Sequence, residues 1–382
     1  MIRNAIVVGG GVGGLACATA LARRGVTVTL YERAPEIREV GAGLQVSPNG
    51  LAVLRALGLE EALLHRGAVT ARAVVLFDYK AGAQVARLDL TRLRDQRYLF
   101  VHRHDLVSVL AQAAREAGVV LELGQEVASI RPGDVPELTL ASGEEMRAEL
   151  IVCADGIHSV GRPVIAAGSE ARFTGQVAWR ATVPAQQAVP EAQVAMGPGR
   201  HVVSYPLRDG RLMNLVAVQE RDAWAEEGWT HEDDPAALQA AFADFGGPVA
   251  GLLQQVEQVS LWGLFRHPVA DCWMRGNVAL LGDAAHPTLP FLAQGANLAL
   301  EDAWVLAECV AAETMETRYQ EVRQRRATKV IDAASGNAWK YHLREGPVRQ
   351  LAHLGLSLGS RLAPGLMMRQ FDWIYGHDVK AQ

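Results

Sequence analysis

Apolar residues at the start of the chain fall into two short runs, separated by a glycine-rich turn and a helix-like segment. Residues 4–33 read NAIVVGGGVGGLACATALARRGVTVTLYER. The apolar runs before the glycine turn and at the end of this stretch have the length of strands. Between them, Leu15, Ala18, Leu21 and Ala22 recur at helical spacing and are expected to face inward. This pattern predicts one βαβ unit.

Further helices and strands follow from the same periodicities. Stretches rich in Leu and Ala predict helices over about 48–64 and 105–117. Between these helices, the alternation over 73–90 predicts strands. The segments VVLELGQEVASI, ELTLASGEEM and AELIVCADG predict a strand, a hairpin and a buried strand that stops at Asp155 and Gly156.

The middle of the chain has a different pattern. Over residues 177–218, β-branched and aromatic residues are separated by Pro and Gly, which is typical of an antiparallel sheet. After Asn277, VALLGDAA returns to a short buried strand followed by a helix, and a charged helix is predicted over about 315–344. The pattern therefore predicts an α/β chain, α+β overall, in which an antiparallel sheet interrupts a mostly parallel one and helices close the chain.

Composition narrows the classes of function. The chain has 382 residues, which favours two domains, and its net charge of -5 without a clustered Lys/Arg face argues against nucleic acid as a partner. Four well-separated cysteines form no CxxC pair or metal-ligand spacing, so no metal is expected. The N-terminus resembles no signal peptide, and no window approaches the ~18 apolar residues of a membrane span. We therefore expect a cytoplasmic protein that does not enter a membrane.

The first glycine turn has the spacing of a dinucleotide-binding motif. Gly9, Gly11 and Gly14 form GxGxxG between a predicted strand and helix, and Glu32 ends the second strand. These glycines allow a tight turn, close approach of a pyrophosphate and close helix packing. The helix N-terminus favours the phosphates, and the carboxylate of Glu32 can accept hydrogen bonds from a ribose. The alternative is a purely structural turn, and the motif alone does not separate FAD from NAD.

A second motif near the other end of the chain favours FAD. In GDAAHPTLPFLAQGANLALEDA, Asp283 follows a buried strand, where it can bind the hydroxyls of a polyol. Gly295, Ala296 and Asn297 lie in the first turn of the next helix, whose free N–H groups favour negative charge. Reduced flavin is anionic along its pyrimidine edge, so both ends of FAD have a predicted partner. The alternative is that Asp283 caps a helix and Gly295 only forms a turn.

Five motifs in this order make the chain resemble the single-component FAD-dependent aromatic hydroxylases, the class A flavoprotein monooxygenases. They are the GxGxxG turn with Glu32, GAGLQVSPNG, HRHDL, ADGIHSVGR and GDAAHPTLPFLAQGANLALEDA. The resemblance spans nearly the whole chain and is closest to the salicylate and hydroxybenzoate hydroxylases. The segment FDWIYGHD near the C-terminus resembles the ending of that subgroup. It implies a Rossmann-like FAD-binding domain over 1–72, 99–172 and 268–320, a substrate domain over 73–98 and 173–267, and a helical region over 321–382.

The resemblance also implies roles for single residues in binding FAD. Glu32, with Arg33 beside it, is expected at the adenosine ribose, and Arg103 at the ribityl and phosphate portion. Asp155 and Gly156 match a motif associated with both FAD and pyridine nucleotide, and Asp283 matches the residue that binds the ribityl chain. The backbone of Gly295, Ala296 and Asn297 is expected to contact the flavin pyrimidine edge, and residues 287–290, including Pro290, are expected to line the face that reacts with oxygen. Gly41 and Gly43 fit a loop beside a flavin that swings between two positions. The alternative for these two glycines is an ordinary loop.

The implied reaction is reduction of bound FAD by NADH or NADPH, formation of a flavin 4a-hydroperoxide with dioxygen, and hydroxylation of a small phenolic acid. Alternative substrates are an N-heteroaromatic acid or a phenol without a carboxylate. Another FAD-dependent oxidoreductase or a non-enzymatic flavoprotein are further alternatives. A halogenase is disfavoured because the chain has no WxWxIP stretch. The expected assembly is a monomer or homodimer.

Candidate substrate residues lie mainly in the predicted sheet. His201 and Tyr205, four residues apart on one strand, are expected to share a face and to serve as catalytic base and orienting hydroxyl. The alternative for His201 is a surface or structural histidine. Arg180 can pair with a carboxylate or brace the sheet. The cavity is further expected to be bordered by Val46, Trp179 and Pro290, whereas His286 is expected to be a structural partner.

Overall fold

Twenty strands and twelve α-helices make up the part of the chain that the computed structural model describes, which is residues 1–37, 43–93, 96–166, 168, 171–221 and 232–381. The strands are β1 Asn4–Val8, β2 Thr27–Glu32, β3 Gly43–Val46, β4 Val69–Thr70, β5 Ala73–Asp78, β6 Gln84–Asp89, β7 Leu99–His102, β8 Val120–Leu123, β9 Val127–Arg131, β10 Glu137–Leu140, β11 Glu145–Arg147, β12 Leu150–Cys153, β13 Arg172–Pro184, β14 Glu191–Gly197, β15 Arg200–Leu207, β16 Leu212–Glu220, β17 Glu232–Asp233, β18 Val259–Arg266, β19 Met274–Arg275 and β20 Val278–Leu280.

The α-helices are α1 Val12–Ala22, α2 Pro48–Ala56, α3 Glu60–His65, α4 Arg103–Glu116, α5 Arg162–Ile165, α6 Pro235–Ala241, α7 Pro248–Gln254, α8 Gly295–Ala311, α9 Gln320–Tyr341, α10 Pro347–Leu362, α11 Pro364–Arg369 and α12 Asp372–Tyr375. Short 3-10 turns cover Leu90–Arg92, Gly282–Ala284, Pro290–Leu292 and Val379–Ala381. A π-helical turn at Met315–Tyr319 precedes α9.

The first sheet contains the predicted βαβ unit. Its strand order is β19-β20-β12-β1-β2-β8, and all neighbours are parallel except β19 and β20. Helix α1 is apolar on nearly all sides because it packs between the sheet, α4 and α8. Strands β1, β12 and β20 are buried, as expected for the centre of a parallel sheet.

The second sheet has the order β17-β18-β13-β16-β15-β14-β5-β6. Its neighbours are antiparallel except for β14 and β5, which run parallel. One face packs on α6 and α7 through a cluster that includes Trp179, Phe242 and Phe245. The opposite face carries Val216, Val218 and Trp262 toward Phe291, which lies after the first sheet in the chain. This second face forms one wall of the cavity described below.

The mixed α/β architecture confirms the predicted fold class, including the mostly parallel sheet, the largely antiparallel sheet and the helices at the end. Two predicted helices differ from the structure. Residues 48–64 form α2 and α3 instead of one helix, because Gly58 adopts a positive φ of 65° between them. The helix predicted over residues 315–344 starts instead with the π-helical turn, and α9 ends at Tyr341.

The first sheet and its helices enclose the larger hydrophobic core. Strands β5 and β6, within 73–98, join the second sheet rather than the first. The division of the chain into domains stays a prediction. Within the described residues, no helix is long and apolar enough to cross a bilayer, and no group of three His, Cys, Asp or Glu side chains could hold a metal ion.

Candidate active site

Two cavities meet at the carboxyl ends of β1 and β12. The first has a volume of about 600 Å³ and the second about 290 Å³. They share Gly11, Arg103, Gly156 and Asp283 as lining residues. A ligand that fills both must therefore be long, with one end at the glycine turn and the other at the second sheet.

The three glycines of the GxGxxG turn have different surroundings: two pack tightly against backbone and one faces the cavities. Gly9 has a φ of 104°, and a Cβ there would lie 2.4 Å from the carbonyl oxygen of Ala154. A Cβ on Gly14 would lie 2.0 Å from the carbonyl oxygen of Gly9, so this glycine allows α1 to pack closely. A Cβ on Gly11 would meet no protein atom within 4 Å because this residue faces the cavities. The three glycines therefore match the three roles expected of GxGxxG.

Acidic groups in the first cavity suit hydroxyl or amide donors of a ligand. The carboxylate of Glu32 accepts hydrogen bonds from the backbone N–H groups of Gly10 at 2.6 Å and Ala34 at 2.8 Å, which fixes its position. Oδ2 of Asp155 accepts from the N–H of Val160 at 2.8 Å. Oδ1 of Asp155 is buried and has no hydrogen-bond partner among the described residues. Such an acceptor fits a cofactor that donates a hydrogen bond to it.

Asp283 lies where the two cavities join. Burial raises the pKa of its carboxyl, while the charges of His286 and Arg103 oppose that shift. Both Asp283 and Arg103 line both cavities. This position is consistent with binding of a polyol between the two ends of the ligand. The predicted Arg33 lines the first cavity only.

The first turn of α8 points into the second cavity. Gly295 and Ala296 line it, no side chain caps the helix at Gln294, and the first turn carries no acidic residue. Its free N–H groups and the positive end of the helix dipole therefore face the cavity. Pro287 and Pro290 line the cavity just before this turn. This arrangement fits the flavin edge expected there.

The opposite wall belongs to the second sheet. His201 and Tyr205 both line the second cavity, in agreement with their predicted common face on β15. Arg180 on β13 lines it too, and its guanidinium stacks 5.0 Å from the ring of Trp262. A cation, an imidazole and a phenol thus share one wall, opposite the start of α8.

Burial determines the protonation of these groups. Burial raises the pKa of Tyr205, and the charge of Arg180 opposes the shift, so the hydroxyl stays protonated and can donate. Burial, and then the neighbouring His342, lower the pKa of His201 well below its ordinary value. His201 is therefore neutral at neutral pH, and one of its ring nitrogens has a free lone pair that can accept a hydrogen bond.

Gly43, the first residue of β3, lies against this wall. Its N–H donates to the side-chain oxygen of Asn214 at 2.7 Å, and a Cβ there would lie 2.5 Å from the ring of Tyr205. Gly43 also lines the second cavity. Only glycine allows this close approach, because a Cβ would collide with the ring of Tyr205. Gly41, the other glycine predicted to act here, lies outside the described residues.

Two residues predicted to border the cavity, Trp179 and Val46, lie away from it. Trp179 faces the rear core and donates to Asp233 at 2.6 Å, because neighbouring residues on a strand point to opposite faces and Arg180 occupies the cavity side. Val46 is fully buried in the larger core. The side chain of Asn297 is also buried, and it bonds the backbone of 45–47, so it joins α8 to β3. The expected contact of its backbone with the flavin edge stays a prediction.

Behind the cavity lies a buried ionic cluster. Arg323 on α9 bonds Glu301 at 2.6 Å and Asp302 at 2.7 Å on α8, and all three side chains are fully buried. Arg326 contacts Glu301 at 3.1 Å. Asp302 also bonds His286 at 2.5 Å, which places this histidine in the support of the site, in agreement with its predicted structural role.

The sequence reasoning missed several residues of the cavity wall. Val203, Val216, Val218 and Trp262 line it, and their period of two along their strands would have indicated a common face. It also missed His342, whose Nε2 lies 2.7 Å from Nδ1 of His201. Nothing local indicates that contact, since the two histidines are 141 residues apart.

Comparison with known proteins agrees with this geometry. Residues 3–334 match the family model described as FAD binding domain. The 3-amino-4-hydroxybenzoate 2-monooxygenase PtmB3 of Streptomyces platensis is 35% identical, with 98% of this chain and 96% of that protein covered. Salicylate hydroxylase of Pseudomonas putida is 30% identical, with 98% and 92% covered.

A solved structure has the same fold with the cofactor bound. Klebsiella pneumoniae HpxO, complexed with FAD and uric acid, superposes with a TM-score of 0.83 at 25% identity, and 95% of each chain is covered. These matches confirm the resemblance inferred from the five motifs, together with FAD as the bound cofactor and NAD(P)H and dioxygen as co-substrates. The chain belongs to the FAD-binding family of aromatic-ring monooxygenases.

Proposed function

We propose that the protein hydroxylates a small phenolic aromatic acid of the salicylate or hydroxybenzoate type. The observation that carries the proposal is the shared wall of the second cavity, where Arg180, His201 and Tyr205 lie opposite the first turn of α8. A carboxylate, a phenolic O–H and an aromatic ring have complementary partners there. Relatives named for aminohydroxybenzoate and salicylate support this substrate class.

Residues of both cavities would hold FAD. Glu32 would bind the adenosine ribose, with the glycine turn at the pyrophosphate, Asp283 at the ribityl chain and the N-terminus of α8 at the pyrimidine edge. Arg103 would lie beside the ribityl and phosphate portion. The chemistry that FAD supplies when bound is two-electron reduction by NAD(P)H and activation of dioxygen.

The residues of the wall would act on the substrate. The guanidinium of Arg180 would bind the carboxylate, and the protonated Tyr205 would donate a hydrogen bond that orients the ring. Neutral His201 would accept the phenolic proton, which makes the ring more nucleophilic. Apolar side chains, including Phe291 and Trp262, line the same cavity and would exclude water.

A panel of aromatic compounds tests the proposal. Salicylate, the hydroxybenzoates and 3-amino-4-hydroxybenzoate are compared with carboxyl-free phenols and N-heteroaromatic acids. We expect a phenolic acid to give the greatest stimulation of NADH or NADPH oxidation, with a hydroxylated product by mass spectrometry. Peroxide release without product from every acid would contradict the proposal. Efficient hydroxylation of only the carboxyl-free phenols or the N-heteroaromatic acids would instead support the alternative substrates.

Location and assembly extend the proposal. Well-separated cysteines, none of them in a disulfide among the described residues, suit the reducing cytoplasm. We propose a cytoplasmic monomer or homodimer, which cell fractionation and sedimentation of the FAD-loaded protein can test.

A further inference from the structure

A chain of hydrogen-bonded side chains leads from the cavity wall to the protein surface. Nδ1 of His201 lies 2.7 Å from Nε2 of His342, and Nδ1 of His342 lies 2.8 Å from Oε1 of Glu220. Both histidines are buried, whereas the side chain of Glu220 is 48% exposed. The three groups therefore connect the cavity with solvent.

The second sheet positions both ends of this chain. His201 on β15 pairs with Val218 on β16, and Glu220 follows two residues later on the same face. Strand β16 ends at Glu220, so the carboxylate lies at the rim of the sheet. His342 follows the end of α9, and its carbonyl oxygen accepts a hydrogen bond from the N–H of Gly199 at 3.2 Å. This backbone contact helps to hold its ring between the two strand residues.

The exposed carboxylate determines the tautomers of both imidazoles. An ionised carboxylate only accepts hydrogen bonds, so Nδ1 of His342 must carry the proton that Glu220 accepts. Nε2 of His342 then has a free lone pair and accepts the proton on Nδ1 of His201. This assignment, which follows from the partners, leaves Nε2 of His201 unprotonated. It is the ring nitrogen of His201 that remains for a ligand in the cavity.

We propose that His342 and Glu220 form a proton exit path that keeps His201 in its basic tautomer and carries the substrate proton to solvent. The inference rests on the proposed function because it requires a phenol beside His201. His342 and Glu220 do not line the cavity, so they are positioning residues that act through His201.

Proton transfer along the path conserves charge in the buried part. The phenol O–H bond breaks and an Nε2–H bond forms on His201, while the Nδ1 proton of His201 moves to Nε2 of His342. The Nδ1 proton of His342 moves to Glu220, which releases it to water. The cavity gains a phenolate, and neither buried histidine is left as a cation.

The surroundings explain why a path is needed. Burial lowers the pKa of both His201 and His342, so a trapped imidazolium is unfavourable. The other titratable groups around His201 are Tyr341, whose ring lies 5.3 Å away, and Tyr205 and Arg180 on the cavity wall. Arg180 adds positive charge to that wall and disfavours a second cation. Glu220 faces His342 from β16 and is the anion at the end of the path.

The test follows ionisation of a bound phenol without turnover. FAD-loaded protein, free of NAD(P)H, is mixed in a stopped-flow instrument with 4-hydroxy-3-nitrobenzoate at a pH at which the free phenol is protonated, so that the coloured phenolate forms only on the protein. We expect His342→Phe and Glu220→Gln to slow phenolate formation by about tenfold or more. The affinity for benzoate, which has no phenolic proton, should stay unchanged in both variants.

Asp244→Asn is the matched control. Asp244 is another surface carboxylate, 47% exposed, which bonds Arg200 next to His201 but does not contact the path. This variant should form phenolate at the wild-type rate. Wild-type rates in both His342→Phe and Glu220→Gln, or equal slowing in Asp244→Asn, would overturn the proposal. Glu220 is at the surface, so its variant keeps the test valid if His342→Phe does not fold.

A second readout separates this proposal from the proposed function. Nitrogen-15 NMR of histidine-labelled protein should show Nε2 of His201 unprotonated in the wild type and a mixture of tautomers in His342→Phe. A protonated Nε2 in the wild type would overturn the path. Failure of the wild type to bind any phenolic acid, with the expected NMR tautomers, would instead contradict the proposed function.

Discussion

Arg323 is the buried cation that both acids of α8 share, so its loss should destabilise the protein strongly. Its guanidinium lies 2.6 Å from Glu301 and 2.7 Å from Asp302, and none of the three side chains is exposed. Arg323→Met keeps most of the side-chain length but removes the positive charge that both buried carboxylates share. Removing one partner of a buried ion pair costs about 3–5 kcal/mol. We expect the free energy of unfolding at pH 7 to fall by that amount.

The same change should weaken retention of FAD. Asp302 accepts a hydrogen bond from the N–H of Gly282 at 3.1 Å and bonds His286 at 2.5 Å. These contacts fix the loop that carries Asp283. When Asp302 loses Arg323, the loop loses part of its support, and FAD should dissociate more readily.

The effect should depend on pH in a defined direction. Burial acts to raise the pKa of Asp302, but His286 and Arg323 outweigh it and hold the pKa below its ordinary value. Such a group contributes stability above its unfolded pKa, and this contribution is lost as the pH falls through its folded pKa. In Arg323→Met, one of the two cations that lower the pKa of Asp302 is gone, so this pKa rises and protonation of Asp302 relieves part of the destabilisation. The stability difference from wild type should therefore narrow between pH 7 and about 4.

Urea unfolding followed by tryptophan fluorescence measures the effect, with Arg325→Met as the control. Arg325 lies two residues away on α9 and is exposed, so its replacement should change stability by less than about 0.5 kcal/mol. A loss below about 1 kcal/mol in Arg323→Met, or a stability difference from wild type that widens in acid, would contradict the stabilising role of Arg323.

Five further substitutions test the site. Gly14→Ala should destabilise the protein because its Cβ would lie 2.0 Å from a carbonyl oxygen. Gly11→Ala should fold normally and bind FAD less tightly. Thermal melting and FAD titration separate these two effects. Arg180→Gln should raise KM for a phenolic acid by about 30-fold or more, since losing one partner of a buried charge pair costs about 2 kcal/mol or more. The same variant should leave KM for the matching carboxyl-free phenol unchanged. His201→Ala should lower coupled turnover by about a hundredfold with FAD still bound, and unchanged turnover would exclude it as the base. Trp179→Phe should leave kcat/KM within about twofold because this ring faces the rear core, and a large loss would contradict that placement.

The parts of the site that were predictable from sequence have local causes. The turn of Gly9, Gly11 and Gly14 depends on residues next to one another in the chain, as does the start of α8 at Gly295. The common face of His201 and Tyr205 follows from the period of a single strand. Such features need no knowledge of distant contacts.

The errors have physical causes as well. Trp179 and Arg180 cannot both face the cavity from one strand, and the rear core, built from Phe242 and Phe245, determines which side the tryptophan takes. The contact of His342 with His201 depends on where α9 ends relative to β15. The acids Glu301 and Asp302 stand in the otherwise apolar first half of α8, a signal that a buried cation was required, but only the fold identifies Arg323 as that cation.

Incorporation of isotopically labelled dioxygen shows whether the protein transfers an oxygen atom to an aromatic ring. The FAD-loaded protein is supplied with NAD(P)H, labelled dioxygen and the phenolic acid that most stimulates NAD(P)H oxidation, and the product is analysed by mass spectrometry. We expect one labelled oxygen atom on the aromatic ring of the product, and we expect hydroxylation to require that Arg180 binds the carboxylate of the substrate. A product without label, or NAD(P)H oxidation that yields only peroxide with every phenolic acid, would contradict it.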